Sequence, residues 1–199
     1  MDTFVPRLLS MEITASDETR GYWLDQPTTP AERRAEFLSA PLLVLPSPAG
    51  EGEAPTFPNG TGEFLDELRA LIGDQFAIAV ASTETDYREL KLHAKAWRLP
   101  KMLITTVAFP VFLGVLANRL DALLPGHAKG DTAEATLLIE APNHRVLKLQ
   151  YKGDPTRMAD YFAREVPLYL ELIDPEVQPL QIEAGAPDAT DPDFDEDPR

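Results

Sequence analysis

Cysteine is missing from all 199 positions, which excludes disulfide frameworks, thiolate zinc sites and thiol nucleophiles together. Positive charge is scarce: 18 Lys and Arg face 33 Asp and Glu, for a net charge of −15. Nucleic-acid binding depends on Lys and Arg neutralising phosphates, so this balance argues against it. It favours another protein as partner, a basic one if charge contributes. A long apolar leader is wanting too. The opening MDTFVPRLLSME has one arginine and a very short apolar run before Glu12, unlike a secretory signal, and a cytoplasmic address is expected.

What is present suffices for a core. Hydrophobic residues make up 44% of the chain, and at this length folding buries roughly 70% of the surface that the unfolded chain exposes. Arginine outnumbers lysine 12 to 6, and Ala and Pro are abundant, a bias common in GC-rich bacterial genomes. Acid is concentrated at the end. Residues 188–197 hold six carboxylates, with Phe194 as the large apolar group among them, so 185–199 is predicted to be a disordered tail.

Residues 1–97 read as an α+β unit with a mixed sheet and two helices. Leu9, Met11 and Ile13 alternate with Ser10, Glu12 and Thr14, which predicts a strand over 8–15. Thr29 as cap and Pro30 in the first turn start a helix that stops before Pro41. LLVL at 42–45 is a short buried strand, and the four prolines and four glycines of 46–62 predict a flexible loop. Phe64, Leu65, Leu68, Leu71 and Ile72 share one face of a helix over 63–73, which Gly73 ends. An apolar strand over 76–82, hairpinned through TETD to an alternating strand over 88–97, completes the unit.

Residues 98–175 form a second unit that packs on the first. Lys101 and Arg119 enclose 17 uncharged residues, and the predicted apolar helix runs over 101–124 to the stop signal Pro125-Gly126. Those uncharged positions span about 25 Å against a hydrocarbon core of about 30 Å, which favours a buried helix over a membrane span. Thr106, Pro110, Gly114 and Asn118 lie four apart, a small-residue stripe suited to close packing, and Pro110 should kink the helix. A β-hairpin follows, with strands at 135–139 and 146–151, a turn at Pro142-Asn143-His144, and Leu147, Leu149 and Tyr151 facing inward. Asp154 and Pro155 then open a short amphipathic helix through Met158, Phe162 and Val166, which Pro167 ends or kinks. LYLELI at 168–173 fits a last helical turn or an edge strand.

Candidate chemistry is thin. His93, His127 and His144 read as exposed or locally bonded, and no metal or cofactor is expected. No Gly-x-Ser-x-Gly elbow surrounds Ser82. NGTG at 59–62 precedes a helix, yet Glu63 places a carboxylate where a phosphate would sit. Glu63 with Asp66 or Glu67 is explained by the preference of helix first turns for acid. Trp23 and Trp97 are candidate recognition residues. Trp97, with Arg98 and Lys101 beside it, and Phe194 in the acidic tail are the residues expected to contact a partner.

The order apolar helix, β-hairpin, short amphipathic helix over 101–166 resembles small accessory components encoded beside bacterial toxin or antiphage effectors. That resemblance implies an accessory or regulatory subunit. The sequence therefore predicts a non-enzymatic interaction protein, an adaptor or accessory subunit. The alternatives are a membrane-acting effector that inserts helix 101–124 and an enzyme whose site is assembled from scattered polar residues.

Overall fold

The structure, a computed structural model, describes residues 10–26, 29, 31–47, 56–83, 86–90, 96–124 and 131–173. The expected tail with Phe194, the residues His93 and His127, and much of the loop over 46–62 lie outside the described residues. The strands are β1 (Ser10–Ser16), β2 (Leu42–Leu45), β3 (Phe57–Pro58), β4 (Ile78–Val80), β5 (Glu89–Leu90), β6 (Ala96–Arg98), β7 (Lys101–Thr105), β8 (Thr132–Glu140) and β9 (Val146–Gly153). The helices are α1 (Arg20–Leu24), α2 (Arg34–Ser39), α3 (Thr61–Ile72), α4 (Phe109–Asn118), α5 (Leu120–Leu123) and α6 (Pro155–Ile173). The fold is α+β around a mixed sheet.

Seven strands share the main sheet in the order β1-β9-β8-β7-β2-β4, with β6 also against β8. Arg98 pairs with Glu134 and Met102 with Leu137, so β6 and β7 follow one another along the same edge of β8. Strands drawn from 1–97 and from 98–175 are thus interleaved in one sheet. The larger core lies on one face, where α3, α4 and α6 bring Phe64, Leu68, Phe109, Phe112, Met158 and Phe162 onto Leu42, Ile104, Leu137, Leu149 and Tyr151. On the other face a smaller core joins Trp23, Leu24 and Phe37 of α1 and α2 to Leu43, Leu45, Leu103, Leu138 and Val146.

Several elements stand where the sequence places them. β1 has Met11 and Ile13 half-buried and Ser10, Glu12 and Thr14 exposed, and all four residues of β2 are buried. In α3 the residues Phe64, Leu65, Leu68 and Ile72 are buried, and Gly73 at φ +59° ends the helix. The β8–β9 hairpin runs in register from Ala133 with Gly153 to Glu140 with Val146, with Leu147, Leu149 and Tyr151 buried. Asp154 accepts the Thr156 N–H at 2.9 Å at the start of α6.

Other expectations are corrected. The segment 101–124 is not one apolar helix: it is a strand, a turn and two short helices. Met102, Leu103 and Ile104 are fully buried between β2 and β8, and a strand covered on both faces has the same continuous apolar run as a buried helix. Pro110 opens α4 in its first turn, where its missing N–H costs nothing, and so it makes no kink. Gly114 and Asn118 face solvent, with Asn118 Nδ2 donating to the Gly114 carbonyl at 2.8 Å, so the small-residue stripe is not a packing face.

Among the described residues the strands at 76–82 and 88–97 form no hairpin; residues 91–95 of the second lie outside them. β4 lies parallel to β2, with α3 in the crossover, while β5 lies parallel to β3 and β6 parallel to β8. Before α2 the chain makes a 3₁₀ turn over Ala31–Arg33, and the Thr29 hydroxyl donates to the Trp23 carbonyl at 2.6 Å instead of capping a helix. Pro167 is interior to α6, which continues to Ile173 because Met158, Phe162, Val166 and Leu170 hold one buried stripe across it. No helix among the described residues is long and apolar enough to cross a membrane.

Candidate functional site

The smaller core covers only half of its sheet face. β8 and β9 alternate residues across the sheet, so Leu138 and Val146 lie under α1 and α2 while Glu134, Thr136, Gln150 and Lys152 continue the same face beyond them. β1 adds Ser10 and Glu12, paired with Lys152 and Gln150. The result is an open cleft of about 600 Å³ floored by the sheet.

Two carboxylates organise the charge there, and each is held by cations on both oxygens. Glu18, in the connection between β1 and α1, receives Lys101 on Oε2 and Lys148 on Oε1, the latter at 3.4 Å. Glu134 of β8 receives Arg98 Nε on Oε2 at 2.9 Å and Lys152 Nζ on Oε1 at 2.7 Å. Strand spacing produces the second arrangement, because Arg98, Glu134 and Lys152 are cross-strand partners facing the same way, whereas Glu18 reaches Lys148 of β9 and Lys101 of β7 from the connection after β1. Burial pushes the Glu18 carboxyl up, yet Lys101 and Lys148 together hold it below the ordinary carboxylate range. The Lys152 hydrogen bond, helped by Arg98, likewise holds Glu134 low against its burial. Lys101 is the most enclosed of the four cations. Its ammonium lies 5.0 Å from the centre of the Trp23 ring, and burial lowers its proton affinity by more than Glu18 restores it.

The residues expected at a partner surface separate. Arg98 and Lys101 line the cleft. Trp97 points away from it, half-buried against the larger core, and borders a second hollow of about 410 Å³ with Phe64, Leu123 and Leu124. Trp23 is buried under Lys101. Phe194 lies outside the described residues. Glu12, Glu18, Glu134, Lys148, Gln150 and Lys152 escape sequence reading, because their convergence with Arg98 and Lys101 depends on the sheet order, which sets β1 beside β9 and β6 and β7 beside β8.

At the N-terminus of α3 a carboxylate stands where an anion would bind, but it belongs to Glu89 and not to Glu63. Glu89 accepts the N–H groups of Gly60 and Gly62 at 2.8 and 2.7 Å and the Tyr87 hydroxyl at 2.7 Å. Gly60 sits at φ +83°, a left-handed conformation that favours glycine and lets the two amides converge. Burial raises the Glu89 carboxyl, and the three donors outweigh it and hold the group low. Burial and the Glu89 charge push the Tyr87 hydroxyl well above its ordinary value. His144, in the hairpin turn at φ +62°, has Nδ1 3.7 Å from Glu140 Oε1. Among the described residues no three His, Asp or Glu side chains gather as a metal site would need.

Comparison of the chain with protein-family models, with curated proteins and with solved structures found no match.

Proposed function

We propose that this chain is a non-enzymatic, cytoplasmic interaction protein, an adaptor or accessory subunit, that receives a protein partner on the open half of its sheet. The observation that carries the reading is the uneven cover of one face. α1 and α2 shield its apolar half, while the other half carries a laterally paired layer of both charges around a cleft. Such a layer suits a polypeptide surface: the carboxylates of Glu12, Glu18 and Glu134 can take Lys or Arg from the partner, and the four cations can take its carboxylates. Complementary charges across an interface give orientation and encounter rate more than affinity. The field of a chain at −15 draws a partner of net positive charge. The likeness to accessory components of toxin and antiphage systems rested on an apolar helix over 101–124 that the structure divides, so the cleft alone supports this reading.

The experiment uses the tagged chain purified from its own cells beside Glu12→Arg and Gln150→Arg, two exposed cross-strand neighbours at the centre of the cleft. Both variants should keep the wild-type melting temperature. A partner recovered with the wild type should fall by about tenfold with each, as expected for like charge placed in an interface. Undiminished recovery with both variants contradicts the proposal.

A further inference from the structure

The sheet ends on β1 at one side and β4 at the other. β4 has only three residues. β1 has seven, all in continuous register with β9 from Ser10 with Lys152 to Ser16 with Val146, and β9 is its one neighbour among the described residues. An edge strand of that length offers a row of backbone N–H and C=O groups to any extended chain, and natural edges are commonly blunted by charged side chains, lysine above all, by proline or by a bulge; the one charge on β1 is Glu12. Ser10–Ser16 contains no lysine and no proline, and its register contains no bulge.

Its sequence also fits itself. In an antiparallel pair about a two-fold axis at Ile13, Ser10 faces Ser16, Met11 faces Ala15, Glu12 faces Thr14 and Ile13 faces Ile13. All seven residues are then paired, like faces meet and no charge meets its own sign. Moving the axis to Glu12 sets two carboxylates opposite each other, which is unfavourable. Moving it to Thr14 carries Ser10 and Met11 past the end of the partner strand.

The side chains along this edge are only half-covered. Met11 and Ile13 touch the larger core yet stay partly open to solvent. Above them Tyr161 of α6 lies 6.2 Å, ring to ring, from Tyr151, which is the cross-strand partner of Met11. Leu168, two turns further along the same helical face, is 57% exposed. A second copy related by the axis at Ile13 would cover this apolar rim with its own.

We propose that the chain forms a homodimer through β1, antiparallel about Ile13, so that two seven-stranded sheets become one. The open clefts then lie on the same face of the joined sheet and present a doubled surface. This proposal concerns the edge and does not depend on what occupies the cleft.

The test uses the full-length chain at about 100 µM, because dimer population depends on protomer concentration. Light scattering should give twice the chain mass, and Ile13→Lys, which sets two ammonium groups across the axis, should give a single chain mass with an unchanged circular dichroism spectrum. Should Ile13→Lys fail to fold, Thr14→Glu serves instead: position 14 is exposed and faces Glu12 of the second copy, so like charges meet twice across the axis and the mass should show weakened association at lower concentration. Register is read from the absence of cysteine: under mild oxidant Ile13→Cys should form a disulfide-linked dimer, and Met11→Cys, set opposite Ala15, should not. A monomeric wild type at that concentration overturns the proposal. So does a dimer whose mass survives Ile13→Lys in a folded protein, or equal cross-linking of Ile13→Cys and Met11→Cys.

Discussion

Arg20 on α1 and Glu140 at the end of β8 form a buried ion pair, with Arg20 Nε donating to Glu140 Oε2 at 2.8 Å. The same guanidinium donates from one terminal nitrogen to the carbonyls of Phe37 and Ala40, at 2.5 and 2.8 Å, where α2 leaves its last acceptors unbonded. One side chain therefore fixes two helices to the sheet, at the end of the covered half of that face away from the cleft. Removing one member leaves the other charge buried and unpaired. Arg20→Met or Glu140→Leu alone should lower the unfolding free energy by about 3–5 kcal/mol, and the double replacement should recover part of the loss. Urea unfolding of the three variants measures this, and single variants within about 1 kcal/mol of wild type would show that the pair is not a constraint.

Gly114 tests the correction to the segment after β7. A long packed helix with Gly114 on its contact face predicts that a larger side chain is costly. The structure predicts the opposite, because Gly114 is on the solvent side of α4 and an added Cβ meets nothing within 4 Å. Gly114→Ala should stabilise the protein by about 0.5–1 kcal/mol through helix propensity alone. A rise in melting temperature confirms the exposed face, and a fall contradicts it.

The sequence made its own strands legible where one face is wet and left them ambiguous where both are dry. Met11 and Ile13 alternate with polar neighbours, and Leu147, Leu149 and Tyr151 do the same, so β1 and β9 announce their period. Met102, Leu103 and Ile104 have no polar neighbours to alternate with, since β7 is covered on both sides, and their run merges with that of α4. Thr105, Thr106 and then Pro110 were the available sign of a strand ending before a helix. The cleft was least legible. Glu18, Lys101 and Lys148 are far apart in the chain and meet only through the sheet order.

Glu89 should make α3 sensitive to acid. Its folded carboxyl is held below the ordinary value of 4.5, so its contribution is fully present above that value and is lost as pH falls below it through the folded pKa. Glu89→Gln should be less stable than wild type at neutral pH by about 1–2 kcal/mol, the scale of a lost helix cap. The gap should close as the medium is acidified from about pH 5 towards pH 3. Parallel thermal scans over that range check it, and a gap that widens in acid would reverse the assignment.

Glu18 and Lys101 should respond unequally to removal. Lys101 is the more desolvated partner, so Glu18→Gln leaves an enclosed ammonium with Lys148 nearby and should cost about 1–3 kcal/mol. Lys101→Met keeps the stem packed on Trp23 and leaves Glu18 with Lys148, so it should lie within about 1 kcal/mol of wild type. Denaturant unfolding of the two variants decides the order, and a larger loss for Lys101→Met would contradict this view of the pair.

The central claim, that the uncovered half of the sheet is where a protein partner sits, is tested most directly by site-specific photo-crosslinking in the chain's own cells. A photoreactive residue placed at Gln150 on the open face is compared with one at Asp160 on the outer side of α6, both exposed to solvent. The account predicts a discrete covalent adduct with one protein from position 150 and none from position 160. Adducts from position 160 alone, or from neither position, would contradict it.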